Sequence, residues 1–177
     1  RHKQKLYTIY YLTVRKNVKL LHALNTILDD LNQEGVDITL LQGMALLQGA
    51  YPDIGLRPMK DMDLWVLPGN YQRLADILAR QGFESNRLYP QTYRKGETVL
   101  DIHTHLLWAD RIKAREYLLS KSQDEIFQST RSIHIEGSQA RCLGPQDQFL
   151  YLGLHALKHN FERLLWLVDI KTLVADW

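Results

Sequence analysis

Arg57-Pro58-Met59-Lys60-Asp61-Met62-Asp63-Leu64-Trp65-Val66-Leu67 sets two acids at the entrance of an apolar run. The alternation followed by continuous hydrophobics reads as a strand over Asp61–Leu67, closed by Pro68-Gly69. In a strand, residues i and i+2 share a face, about 6 to 7 Å apart at Cα. Asp61 and Asp63 therefore stand side by side. Carboxylates so placed can bracket one hard divalent cation or hold two between them: Mg²⁺ takes oxygen ligands at about 2.0–2.1 Å, and phosphoryl-transfer ions sit about 3.5–4 Å apart. Leu64-Trp65-Val66-Leu67 anchors the pair to the core. Alone, the pattern equally describes solvated acids at a loop edge. Its surroundings have to decide.

A third acid, Asp101, interrupts the apolar stretch Val99-Leu100-Asp101-Ile102-His103. A buried carboxylate without a partner is costly, so Asp101 should be paired, hydrogen-bonded or metal-bound. If its strand lies beside that of Asp61 and Asp63, three carboxylates converge. The third can then bind the cation that activates an attacking hydroxyl and accept its proton. Upstream, Leu40-Leu41-Gln42-Gly43-Met44 is a buried strand, a glycine and a helix start. Gly43 lets a phosphate approach the backbone, and the turn opening at Met44 offers free N–H groups, although strand-to-helix turns use glycine for other reasons too. Arg57 and Lys60 flank Pro58 and could meet phosphates, the first by a bidentate fork and the second as a point charge. Solvated loop charges would look the same.

Outward from this segment the periodicities predict an α/β (α+β) chain, a mixed sheet flanked by helices. A helix is expected over Leu6–Leu31, ended by Gly35, then a strand over Val36–Leu41 and a short helix over Met44–Ala50. Tyr51–Lys60, with Pro52, Gly55 and Pro58, reads as a loop, and Tyr71, Leu74, Ile77 and Leu78 form the apolar face of a helix capped by Asn70. Strands are expected over Phe83–Leu88, Gln91–Arg94 and Thr98–Leu107, and a charged helix over Ile112–Leu119. A hairpin is expected across Gly137-Ser138, then helices over Pro145–Lys158 and Phe161–Ala175.

The net charge of +2 in 177 residues leaves a nucleic-acid partner open without pointing to one. The single Cys142 excludes an internal disulfide framework, reads as a small buried hydrophobe and fits a reducing, cytoplasmic compartment. No apolar stretch approaches the ~18 residues of a membrane span, and Arg1-His2-Lys3-Gln4-Lys5 lacks the apolar core of a signal peptide. The absence of an initial Met and the stop at Asp176-Trp177, inside a helical pattern, read as a piece of a longer protein.

The runs Leu41-Gln42-Gly43-Met44-Ala45-Leu46, Tyr51-Pro52-Asp53 and Arg57 to Val66 occur in that order. Leu100-Asp101-Ile102-His103, His155-Ala156-Leu157-Lys158-His159 and Arg163 to Asp169 follow. Together they resemble the uncharacterised nucleotidyltransferase family of the DNA polymerase β-like superfamily. The resemblance implies a nucleotidyltransferase fold and transfer of a nucleoside monophosphate from an NTP, ATP among them, to an acceptor. It also implies two Mg²⁺ ions (or Mn²⁺) on Asp61, Asp63 and Asp101, and His155 and Lys158 facing the nucleotide from the helical side. It divides the chain into an N-terminal helical segment (1–35), a catalytic core (36–143) and C-terminal helices (144–177). Gln42 stands where a lysine is expected and Met44 where the wider superfamily has serine or a second glycine. These departures keep a second reading alive, a nucleotide-binding module without turnover. A third reading is a metallohydrolase on His103, His105, His155 and Asp169, which would leave Asp61 and Asp63 without a role. Asp169 otherwise reads as a structural acid paired with Arg163, Lys171 or a strand group, and Trp65, Trp108 and Trp166 as core.

Overall fold

A long helix, α1 (His2–Gln33), begins the fold of this computed structural model, which describes residues 2–106 and 121–175. Its C-terminal half buries Leu20, Leu24, Ile27, Leu28 and Leu31, the three- and four-residue spacing that makes one apolar stripe. Gly35, at φ +63°, ends it in a left-handed conformation that costs glycine little. The chain continues as β1 (Thr39–Leu40), α2 (Gln42–Leu46), β2 (Met62–Trp65), a 3₁₀ turn (Pro68–Asn70) and α3 (Tyr71–Arg80). Then come β3 (Glu84–Ser85), β4 (Thr92–Lys95), β5 (Thr98–His103), α4 (Gln123–Gln128), β6 (Arg131–Ile135), β7 (Ser138–Cys142), α5 (Pro145–Lys158) and α6 (Leu164–Leu173).

The strands form one seven-stranded mixed sheet in the order β3-β4-β5-β2-β1-β7-β6. β2 and β5 run parallel, as do β1 and β7, whereas β1 is antiparallel to β2. The strand period of two sorts the side chains onto two faces. Met62, Leu64, Leu100 and Ile102 join the stripe of α1 and Leu74, Ile77 and Leu78 of α3 in the main core. On the other face Trp65 packs with Leu41, Phe127, Leu143 and Tyr151 under α4 and α5. The expected mixed sheet with flanking helices is therefore the observed architecture, and Cys142 is buried in β7.

Several boundaries differ from expectation for local reasons. The first strand is cut to Thr39–Leu40, and Phe83–Leu88 supplies only Glu84–Ser85 before Asn86 turns the chain by accepting from the N–H groups of Leu88 and Tyr89. The β6–β7 turn sits one residue earlier than expected, on Glu136 and Gly137, both at positive φ. The last helix starts at Leu164 because Asn160 and Phe161 are left-handed and break the run. Asn70 precedes α3 without making a side-chain cap. The unexpected α4 opens on a capping box between Ser122 and Glu125. The expected helix over Ile112–Leu119 and the core role of Trp108 lie outside the described residues.

Candidate active site

β2 and β5 pair with Asp63 opposite Asp101 and Trp65 opposite His103, so both acids leave the sheet on the face away from α1 and α3. Asp61, just before β2, follows the same period. The three carboxylates converge, each on its own terms. Asp101 accepts from Thr92 Oγ1 at 2.6 Å, across the β4–β5 register. Asp63 Oδ1 lies 3.0 Å from His103 Nε2. Burial, then the charges of Asp63 and Asp101, hold the carboxyl of Asp61 above the usual carboxylate range, and Arg163 opposes the shift.

Asp61 and Asp63 open into a cavity of about 230 Å³. Its near wall adds Gln42, Gly43, Arg57, Pro58 and Lys60, and its far wall is Arg163, Leu165 and Trp166 at the start of α6. Gln42 stands at φ +46°, a left-handed conformation uncommon for a residue with a side chain, and its amide hydrogen-bonds the buried Tyr151 hydroxyl.

Arg57 occupies the floor, 6% exposed. Its Nε and Nη2 donate to the two oxygens of Asp169 at 3.2 and 2.7 Å, and Nη1 donates to the Pro58 carbonyl. Tyr51 adds its hydroxyl to the same carboxylate at 2.7 Å. Asp169 is thus structural, as expected, but its partner comes from the proline-rich loop rather than from Arg163, Lys171 or a strand. The guanidinium lies against the α-carbon of Gly43: a Cβ there would meet Arg57 Cζ at 2.8 Å and Met59 Cγ at 2.9 Å. Because Arg57 is pinned, it cannot swing aside cheaply. Gly43→Ala is expected to cost about 1–3 kcal/mol of stability, the usual range for overpacking. A midpoint in urea equal to that of the parent protein would refute this.

His155 lies half-buried on α5, its ring 5.2 Å from that of Trp166 and 4.8 Å from that of His159. Burial pushes its pKa down to about 4; Asp63 opposes the shift, while His159, Lys158 and His103 add to it. The folded pKa lies below the ordinary 6.5, so the unfolded chain binds the proton more readily. Stability from keeping this ring neutral is complete above pH 6.5 and drains away as pH falls to about 4. The loss reaches roughly 3 kcal/mol at most, from about 1.4 kcal/mol per pKa unit. His155→Gln should flatten the stability profile in that window, and an unchanged slope would disprove the assignment.

The cavity brings together Gly43, Arg57, Lys60, Asp61 and Asp63, with Asp101 beside Asp63. Met44 is 1% exposed, with its side chain in the main core. Lys158 is exposed on the last turn of α5. The sequence does not mark Arg163 and Trp166, which line the cavity, as site residues. Their run had only the apolar signature of a core helix, and nothing in it marked the end that faces the acids. Among the described residues no group of three or more His, Cys, Asp or Glu side chains stands at metal-ligating spacing. That holds for Asp61, Asp63 and Asp101 as they stand as well as for the histidines, and Asp169, the fourth member of the histidine set, belongs to Arg57.

A family model described as "Uncharacterised nucleotidyltransferase" matches residues 2–176. The chain belongs to this family. The solution structure of the antibiotic-resistance factor ANT(2'')-Ia superposes on this nucleotidyltransferase-family chain with a TM-score of 0.64 at 16% identity, over 90% of this chain and 84% of that one. An antigenic nucleotidyltransferase-like protein from Paracoccidioides brasiliensis matches at 0.58 and 17%, over 89% and 76%. Lincomycin-bound lincosamide antibiotic adenylyltransferase LnuA matches at 0.54 and 18%, over 85% and 93%. At these identities the likeness shows a shared nucleotidyltransferase fold. No match is found among curated protein sequences. Among the described residues, no helix is long and apolar enough to cross a membrane.

Proposed function

We propose that this chain is an active nucleotidyltransferase that moves a nucleoside monophosphate from an NTP to a hydroxyl acceptor, with Asp61, Asp63 and Asp101 as the catalytic carboxylates. The observation that carries this reading is the β2–β5 register, which puts Asp63 and Asp101 side by side and Asp61 one strand period away at the mouth of a basic-walled cavity. The donor set fits hard divalent cations. It is all-oxygen, and its members repel one another. Two Mg²⁺ ions, or Mn²⁺, bound there would neutralise the triphosphate and lower the pKa of the acceptor hydroxyl. The residues themselves orient and screen. Lys60 supplies a point charge at the rim, and the backbone at Gly43 lies on the cavity wall. Arg163, Leu165 and Trp166 close the helical side with His155 behind Trp166, Lys158 stands outside the cavity lining, and Asp101 takes the acceptor proton.

Calorimetric titration with each of the four NTPs, with and without Mg²⁺, tests this. Metal-dependent binding that disappears in Asp61→Asn/Asp63→Asn is the expected result, followed by pyrophosphate release in a screen of small hydroxylated molecules, sugar phosphates, tRNA and protein. Absence of binding to any NTP would overturn it. A second reading, binding without turnover, draws support from Gln42 and Met44. Gln42 is engaged by Tyr151, and the side chain of Met44 sits in the core away from any phosphate. NTP binding without pyrophosphate release from any acceptor would favour it.

A further inference from the structure

Three cationic side chains line the cavity, and they are not equivalent. Arg57 is consumed by Asp169 and Pro58. Lys60 is an exposed point charge on the acids' own loop. Arg163 reaches in from the opposite wall, at the N-cap position of α6. Its guanidinium carbon lies 5.5 Å from the centre of the Trp166 ring, a cation–π distance, and Trp166 is itself 7% exposed and braced by His155 and His159. None of the ion pairs among the described residues involves Arg163. Its charge nevertheless reaches Asp61.

A guanidinium beside an aromatic face keeps its N–H groups directed in its own plane, so a cation–π contact does not consume the donors. Part of the rotamer entropy of the arginine is lost before any ligand arrives. A planar fork of this kind, across a cavity from a carboxylate cluster, matches a phosphate whose other oxygens face cations on those carboxylates. We infer that Arg163, positioned by Trp166, is the phosphate-gripping residue that the helical wall contributes to the nucleotide site. The inference rests on the nucleotidyltransferase reading for the identity of the ligand. Its own content, a polyphosphate subsite at Arg163, can be measured apart from it.

The experiment titrates the intact chain with inorganic tripolyphosphate and with NTP in the presence of Mg²⁺. Arg163→Ala should weaken both by about ten- to a hundredfold, the loss of a charge-assisted bidentate contact. Arg163→Lys should recover only part, because it keeps the charge and loses the fork. Trp166→Phe should weaken binding by about three- to fivefold through looser stacking, with an unchanged circular dichroism spectrum. Lys171→Ala removes one positive charge from the exposed side of the same helix and should change neither affinity by more than about twofold. Arg163→Ala and Lys171→Ala with equal affinities would overturn the inference while leaving the nucleotidyltransferase reading standing. Tripolyphosphate binding that depends on Arg163, without NTP binding, would uphold the subsite and sink the nucleotide reading. Wild-type protein that binds neither probe would overturn both.

Discussion

Asp63→Asn is expected to reduce nucleotidyl transfer at least about a thousandfold, since a carboxylate that holds divalent cations at the reacting phosphate supplies several kcal/mol of charge stabilisation and each 1.4 kcal/mol is tenfold in rate. The fold should not suffer. The change is isosteric, and an asparagine oxygen can still face His103 Nε2, now 3.0 Å from Asp63 Oδ1. Removing this charge also relieves Asp61, whose carboxyl is held up by burial first and by Asp63 next. The variant should therefore unfold at the same urea concentration as the parent or slightly higher. Activity lost with stability kept or gained marks a charge cluster maintained for chemistry. Unchanged turnover would remove Asp63 from the site. Lost turnover with a collapsed melting profile would make it a folding residue instead.

The largest effect on stability is expected at Asp169. Replacing it with Asn leaves the Arg57 guanidinium, 6% exposed, facing a neutral amide and strips Tyr51 of a charged acceptor. Breaking one side of a buried ion pair costs about 3–5 kcal/mol, because the remaining charge is stranded. Arg57→Met should cost a similar amount for the same reason. The double variant Arg57→Met/Asp169→Leu should recover much of the loss, since no orphan charge remains. Chemical denaturation of the three variants reads this directly as a coupling energy. Additive single and double effects would mean that the pair does not act as a unit. Nucleotide affinity should fall along with stability, because Asp169 lies one turn from Trp166 and anchors the helix that forms the far wall of the cavity.

Legibility in the sequence followed the range of the interaction. The strand of Asp63, with Asp61 just before it, is readable because an alternating acid pair runs straight into Leu64-Trp65-Val66, and its faces follow from a period of two. The stripe of α1 and the apolar face of α3 were readable for the same local reason. The convergence on Asp101 is only conditional in the sequence, since no local pattern says which strands lie next to each other. The parallel β2–β5 register met that condition. Gly43 reads in the sequence as a place where a phosphate approaches the backbone. In the structure the group against its α-carbon is Arg57, because a requirement for glycine records close contact without naming what makes it. Arg57 and Lys60 had equal standing in the sequence, and only the distant Asp169 separates them. The helix α4 has a local signal in the sequence, the Ser122–Glu125 capping box, set in a short charged segment.

The ion pair on the cavity floor also orders events in time. Arg57 and Asp169 are separated by 112 residues, and Tyr51 and Asp169 by 118. Closing a loop of that size has an entropic cost that local contacts must already have offset, so such pairings form late in folding. A chain emerging from the ribosome can build its sheet and align its acids before α6 exists, but it then has only one wall of the cavity. Ligand retention during refolding or synthesis would thus report arrival of α6, and chains that lack it would have no enclosed site in which to sequester nucleotide.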